Sequence, residues 1–131
     1  MGLAIVKIVD DERVARFVGE RVGRVIVPPF TVMGIERDGE IVAGVIFNHY
    51  EVTDVHVTIA GHGWTRGFLA EVGHYVFGAL RCERITVVTE QPEVVRIAER
   101  LGGEIEGLMR NHFGQGRDGI VLGILKTDYR Y

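Results

Sequence analysis

Apolar side chains recur at every second position through Val55, Val57 and Ile59. This is the period of a half-buried strand, and β-branched residues dominate the stretch 54–60. The period then changes. Phe68, Leu69, Val72, Tyr75, Val76 and Leu80 recur every three or four residues, which marks one face of a helix. Gly61-His62-Gly63 separates the two patterns, and Thr65 is placed to cap the helix N-terminus.

The same reading extends in both directions. Residues 3–8 form a short strand. Asp10 caps a helix that runs to about Val22, with Val14, Phe17, Val18 and Val22 on one face and Gly23 at its end. Pro28-Pro29 forces an extended loop. Residues 31–36 and 41–50 pair as a hairpin, because Asp38-Gly39 supplies the positive φ that a tight turn needs. After the central helix, residues 84–89 are apolar and β-branched, the mark of a buried strand. A helix between two strands implies parallel pairing with a right-handed crossover. Pro92 opens a further helix, with Val94, Ile97, Ala98 and Leu101 toward the core and Gly102-Gly103 closing it. Residues 104–109 and 120–126 are two last strands joined by the glycine-rich stretch 111–119. The order β-α-β-β-β-α-β-α-β-β predicts an α/β (α+β) domain. Its sheet is mixed and mostly antiparallel, with a central parallel strand pair and helices packed on it.

A length of 131 residues fits one domain, 1–131, with a proper core. The 18 glycines cluster at turns, which indicates short connections rather than disorder. A net charge of −3 gives no support to a dedicated nucleic-acid binder, though Arg66, Arg96, Arg100 and Arg110 are candidates for a local basic patch. Cys82 is the single cysteine, so no intrachain disulfide forms and a reducing, cytoplasmic compartment is expected. No signal peptide and no membrane span are expected. The histidines 49, 56, 62, 74 and 112 show no helical i, i+4 pair, so no metal site is expected.

The glycine loop leading into a helix N-terminus offers free backbone N–H groups and the positive end of a helix dipole, which suit a phosphate or pyrophosphate. The same junction also occurs with no ligand, its glycines serving geometry alone. Gly61, Gly63 and Gly67 give G-x-G-x-x-x-G, one residue too long for the dinucleotide-binding fingerprint.

The stretch Glu90-Gln91-Pro92-Glu93-Val94-Val95-Arg96-Ile97-Ala98-Glu99-Arg100-Leu101-Gly102-Gly103, followed by Glu106-Gly107, resembles a motif of the GNAT superfamily of acyl-CoA N-acyltransferases. There an Asn-led helix ends in Leu-Gly-Phe and continues to Glu-Gly. Gln91 falls on the Asn and Gly103 on the Phe. The element order matches along almost the whole chain. Trp64-Thr65-Arg66-Gly67-Phe68-Leu69 and the close of the chain are similar to small members found in phage genomes. The family's acyl-CoA motif is Gln/Arg-x-x-Gly-x-Gly/Ala. Gly67 falls on its first glycine, while Trp64 and Leu69 depart from its ends. The tyrosine that many members use as acid for the leaving thiolate is here Ala98.

The resemblance implies a GNAT-like fold whose parallel pair is splayed and whose helices lie on both faces. It implies transfer of an acetyl group from acetyl-CoA, as co-substrate, to a primary amine by direct attack. It places acetyl-CoA along Ile59, Ala60, Gly61, Gly63, Trp64, Thr65, Arg66, Gly67 and Phe68, with Gln91 nearby. The backbone near Ile59 and Ala60 would hold the oxyanion. His56, on the opposite strand face from Val55 and Val57, is a candidate base for the amine proton, or else a surface histidine. Tyr50 and Asn48 are further candidates for contact with the reacting groups. The alternative is a catalytically silent module of the same fold that binds a ligand or protein partner. The acceptor is left open, a modified nucleotide included, and so is a homodimer.

Overall fold

The protein is seen here as a computed structural model that describes residues 3–131. Strand β1 (Val6–Val9) is shorter than the stretch 3–8, because its partner β2 (Phe30–Arg37) ends at Arg37 and leaves nothing for residues 3–5 to pair with. Ile5 instead exchanges bonds with Asp38, its N–H donating to the carboxylate at 2.9 Å and its carbonyl accepting from the Asp38 N–H at 2.8 Å. Helix α1 (Glu12–Val22) starts one residue later than expected. Asp11 rather than Asp10 is the cap, its carboxylate accepting from the Arg13 N–H, and Gly23 closes the helix with φ 72°.

Strands β2 and β3 (Glu40–Asn48) form the expected hairpin, with Asp38 and Gly39 both at positive φ. Strand β4 (Asp54–Gly61) returns antiparallel to β3. Thr65 caps α2 (Arg66–Gly73), and the helical stretch then widens into a π-helical turn over His74–Ala79. Apolar spacing alone does not distinguish this widening from a continued α-helix, since the buried face runs on through Val76. Strand β5 (Arg84–Thr89) pairs parallel to β4, and α3 (Pro92–Arg100) follows.

The last two strands correct the expected loop. β6 (Glu104–Gly114) and β7 (Arg117–Leu125) extend through most of the glycine-rich stretch and turn only at Gln115-Gly116. Their register is irregular there, and side chains replace the ladder. The Asn111 N–H donates to the Asp118 carboxylate, and the Gly116 N–H to the Asn111 side chain, each at 2.8 Å. Such substitutes keep a strand where glycine and asparagine suggest a loop.

The sheet order is β1-β2-β3-β4-β5-β7-β6, antiparallel except for β4–β5. Helix α1 covers one face through the fully buried Val14 and Val18, which lie on Ile46. It can approach closely because Gly34 and Gly44 have no side chains; a Cβ at either would stand 2.7–2.8 Å from a Val14 methyl. The other face carries the larger core. There Val55, Val57, Ile85, Val87, Leu122 and Ile124 meet Phe68 and Val72 of α2, Val76, and Val94 and Ala98 of α3. Each fully buried aliphatic side chain contributes about 1.5–3 kcal/mol. This two-sided packing clamps the middle of β4 and β5 and leaves their C-terminal ends to be set by local pairing.

Candidate functional site

The parallel pairing of β4 with β5 runs from Asp54↔Arg84 to Val57↔Val87 and stops. Thr58 to Gly61 continue to pair with β3, and Val88 and Thr89 with β7, so each strand is held by its outer neighbour while the two part. Alternate backbone groups of β4 beyond Val57 therefore face the gap with no strand partner. The gap is a wedge of ≈ 20 Å³, bounded by Val57 to Ile59, Val87 to Gln91, and, on the α1 side, Arg24 and Phe113.

The wedge leads to the glycine loop. Gly61 and Gly63 adopt φ 101° and 81°, and at Gly61 an added Cβ would collide with the Val42 carbonyl, so the loop needs glycine there for its own geometry. At the start of α2 the Thr65 hydroxyl accepts from the Phe68 N–H at 3.1 Å, and the Thr65 carbonyl accepts from Leu69. Arg66 and Gly67 keep the remaining N–H groups of that turn. Nothing stands within 4 Å of a Cβ built on Gly67. Beside this turn lies an open cleft of ≈ 820 Å³, lined by Gly61 to Trp64, Arg96 and Arg100 of α3, and Arg130. Two of the four arginines singled out in the sequence thus line one cleft. Arg66 stands at the α2 N-terminus, its guanidinium 5.9 Å from the Tyr131 ring, and Arg110 lies on the edge strand β6. Trp64 packs on Phe68, and its indole N–H is buried with no hydrogen-bond partner. An unpaired buried donor is costly.

His56 projects on the α1 side of β4, between the inward Val55 and Val57. Its Nε2 lies 3.7 Å from Asp54, and its ring meets His49 edge-on at 5.1 Å. Asp54 accepts from the Thr86 hydroxyl at 2.8 Å and faces Arg84, which in turn grips Glu106. Desolvation lowers the His56 pKa below the ordinary histidine value. Asp54 and Glu51 push the other way, and His49 and Arg84 add to the lowering. Lowered by desolvation below the ordinary value of about 6.5, the imidazole is neutral at pH 7.

The other two candidates sit elsewhere. Asn48 is the cross-strand neighbour of His56, but it lines, with Tyr50, a cavity between Pro28-Pro29 and Tyr75, at the far end of β4 from the wedge. The Tyr50 hydroxyl is spent on the Leu80 carbonyl at 3.2 Å. Gln91 does reach the wedge; its N–H donates to the Thr89 hydroxyl, and its side chain makes no capping bond. Arg24, Thr58, Glu90, Phe113 and Arg130 were not anticipated. Thr58 shares the alternation of His56, so its face was readable. Arg24, Phe113 and Arg130 arrive from distant segments, with no local signal.

These features, the seven-stranded order and the parting of the parallel pair after Val57, decide the architecture. The chain has the GNAT fold. A mutant of spermidine N-acetyltransferase SpeG from Vibrio cholerae superposes with a TM-score of 0.72 at 17% identity, covering 95% of each chain. SpeG from the same organism, solved with manganese ions, superposes at 0.73 and 14% identity, covering 93% of each chain. A probable acetyltransferase matches at 0.63 and 16% identity, over 78% of this chain and 64% of its own. No established family profile matches the sequence, and no curated protein matches it. Within the GNAT fold, Ala98 is buried in the core of α3. Among the described residues, no cluster of three or more His, Cys, Asp or Glu side chains could hold a metal ion, and no helix is long and apolar enough to cross a membrane.

Proposed function

We propose that the protein is an acetyl-CoA-dependent N-acetyltransferase that acts on a primary amine. The observation that carries this reading is the parting of β4 from β5 directly before a glycine loop at a helix N-terminus. The chemistry of the residues present suits acetyl-CoA, and the ≈ 20 Å³ wedge, room for about one water, has to widen to admit the pantetheine. Unpartnered backbone along β4 suits the pantetheine amides. The first turn of α2 suits the pyrophosphate, with Arg96, Arg100 and Arg130 alongside.

Acetyl-CoA supplies the thioester. This chain's residues supply the rest. Of the backbone groups near Ile59 and Ala60, the Ile59 N–H turns to the gap while Ala60 pairs with Gly44 of β3. The Ile59 N–H therefore holds the charge that develops on the carbonyl oxygen. His56, neutral near pH 7, takes the amine proton. It stands three residues from Ile59 along β4, about 10 Å, so the transfer passes through a chain of waters. Ala98 offers no proton at its position on α3, and solvent protonates the thiolate, whose pKa is near the cysteine value of about 8.5. A reducing, cytoplasmic setting suits the free Cys82 thiol.

Titration calorimetry with acetyl-CoA, followed by a coenzyme-release assay over a panel of amines, tests the reading. Absence of acetyl-CoA binding overturns it. A second reading, a silent GNAT-fold module, is favoured by the apolar surroundings of Ala98. It predicts binding with no coenzyme release for any amine.

A further inference from the structure

The α1-side mouth of the wedge is held by a single guanidinium. Arg24 follows the C-cap of α1, where the N–H groups of Gly23 and Arg24 both bond to the Gly19 carbonyl, at 3.0 and 3.2 Å, and fix the backbone. Its guanidinium lies 5.0 Å from the centroid of the Phe113 ring. Its one hydrogen bond is long, 3.5 Å to the Thr58 hydroxyl. The acid whose charge reaches it, Glu90, gives both carboxylate oxygens to Arg117, at 3.0 and 2.8 Å. Among the described residues no carboxylate lies within salt-bridge distance of Arg24.

The guanidinium lies over the Phe113 ring, and its one long hydrogen bond leaves donors along its edge free. That edge is a planar fork of donors matched to a carboxylate. Thr58, which Arg24 touches, directly precedes the backbone assigned to the oxyanion, one strand residue or about 3.4 Å away. A carboxylate on Arg24 therefore sits within a few bonds of the reacting amine. A polyamine would bring a second cation against an unpaired one in a narrow wedge, where like charges repel strongly.

We propose that Arg24 selects the acceptor, a small primary amine that carries a carboxylate two or three bonds from its nitrogen, and that it excludes polyamines. This rests on the acetyltransferase reading above and names its acceptor class. It also sets this chain apart from the spermidine acetyltransferases that share its fold.

The test compares the standard α-amino acids and β-alanine with their carboxamides and with spermidine. Coenzyme release is followed, together with calorimetric binding of each amine to the CoA-loaded protein. At least one amino acid is expected to exceed its carboxamide and spermidine tenfold or more in kcat/KM or in affinity. Arg24→Gln is expected to remove that preference through KM while acetyl-CoA affinity stays at the wild-type value. Arg24→Glu is expected to lower the amino acid further and raise spermidine. Equal treatment of acid and carboxamide, or a preference for spermidine, overturns the acceptor class while leaving the acetyltransferase reading in place. An Arg24→Gln loss shared equally by acid and carboxamide also overturns it. Failure of acetyl-CoA to bind the wild type overturns both.

Discussion

Val57 faces Val87 in the last parallel pair of the sheet, and the next residue on each strand has no partner across the gap. Both valines are nearly fully buried under α2 and α3, so the splay opens from a fixed, apolar hinge line. Val87→Ala is expected to cost about 1–3 kcal/mol and Leu69→Ala, which is only partly buried, less. Urea denaturation measures both. A Val87→Ala protein as stable as the wild type would show that this hinge line is not packed.

Gly67→Asp places a carboxylate where the cofactor's pyrophosphate is assigned. The open space around Gly67 means the side chain fits without disturbing α2. A negative charge near a helix N-terminus also suits the fold. Stability is expected to hold within about 0.5 kcal/mol, while acetyl-CoA affinity falls at least tenfold by calorimetry. Unchanged affinity removes the phosphate assignment.

Trp64→Phe deletes the unpaired indole N–H and keeps an aromatic ring on Phe68. The lost desolvation penalty, about 1–3 kcal/mol, offsets the smaller ring, so stability by urea denaturation is expected to stay within about 1 kcal/mol of the wild type. A larger loss means that the indole N–H has a partner in solution.

His56 is predicted to set the acid limb of activity. Its pKa is lowered, so the limb lies below the free histidine value of about 6.5 and activity is level by neutrality. His56→Gln is expected to flatten that limb and lower turnover about a hundredfold. A variant that keeps the wild-type profile and rate assigns the proton to another group.

The same shift has a stability consequence. With the folded pKa below the unfolded one, the unfolded chain binds the proton first. Stability therefore rises with pH from the folded pKa up to about 6.5 and is lost on acidification through that window. Denaturation midpoints at pH 5 and pH 7.5 should differ less in His56→Gln than in the wild type. An equal difference shows that the His56 pKa does not change on folding.

Local pattern alone settled the central unit of this protein. The alternation of Val55, Val57 and Ile59, the glycines after them, the Thr65 cap and the Pro92 start each follow from the conformational needs of a few adjacent residues, and the structure has them in place. A helix between two strands then implied a parallel pair around α2, as found. Local pattern misjudged residues 111–119, where Asn111 and Asp118 replace ladder bonds across the strands, because such bonds depend on a partner seven residues away. It also could not separate Asn48 and Tyr50 from the wedge, since which end of a strand lies beside which gap is a matter of pairing direction. The mouth of the site belongs to tertiary structure alone. Arg24 comes from the end of α1, Thr58 from β4 and Phe113 from the β6–β7 hairpin. A guanidinium becomes selective there only because packing brings a ring beside it and leaves the acid whose charge reaches it, Glu90, bound to Arg117.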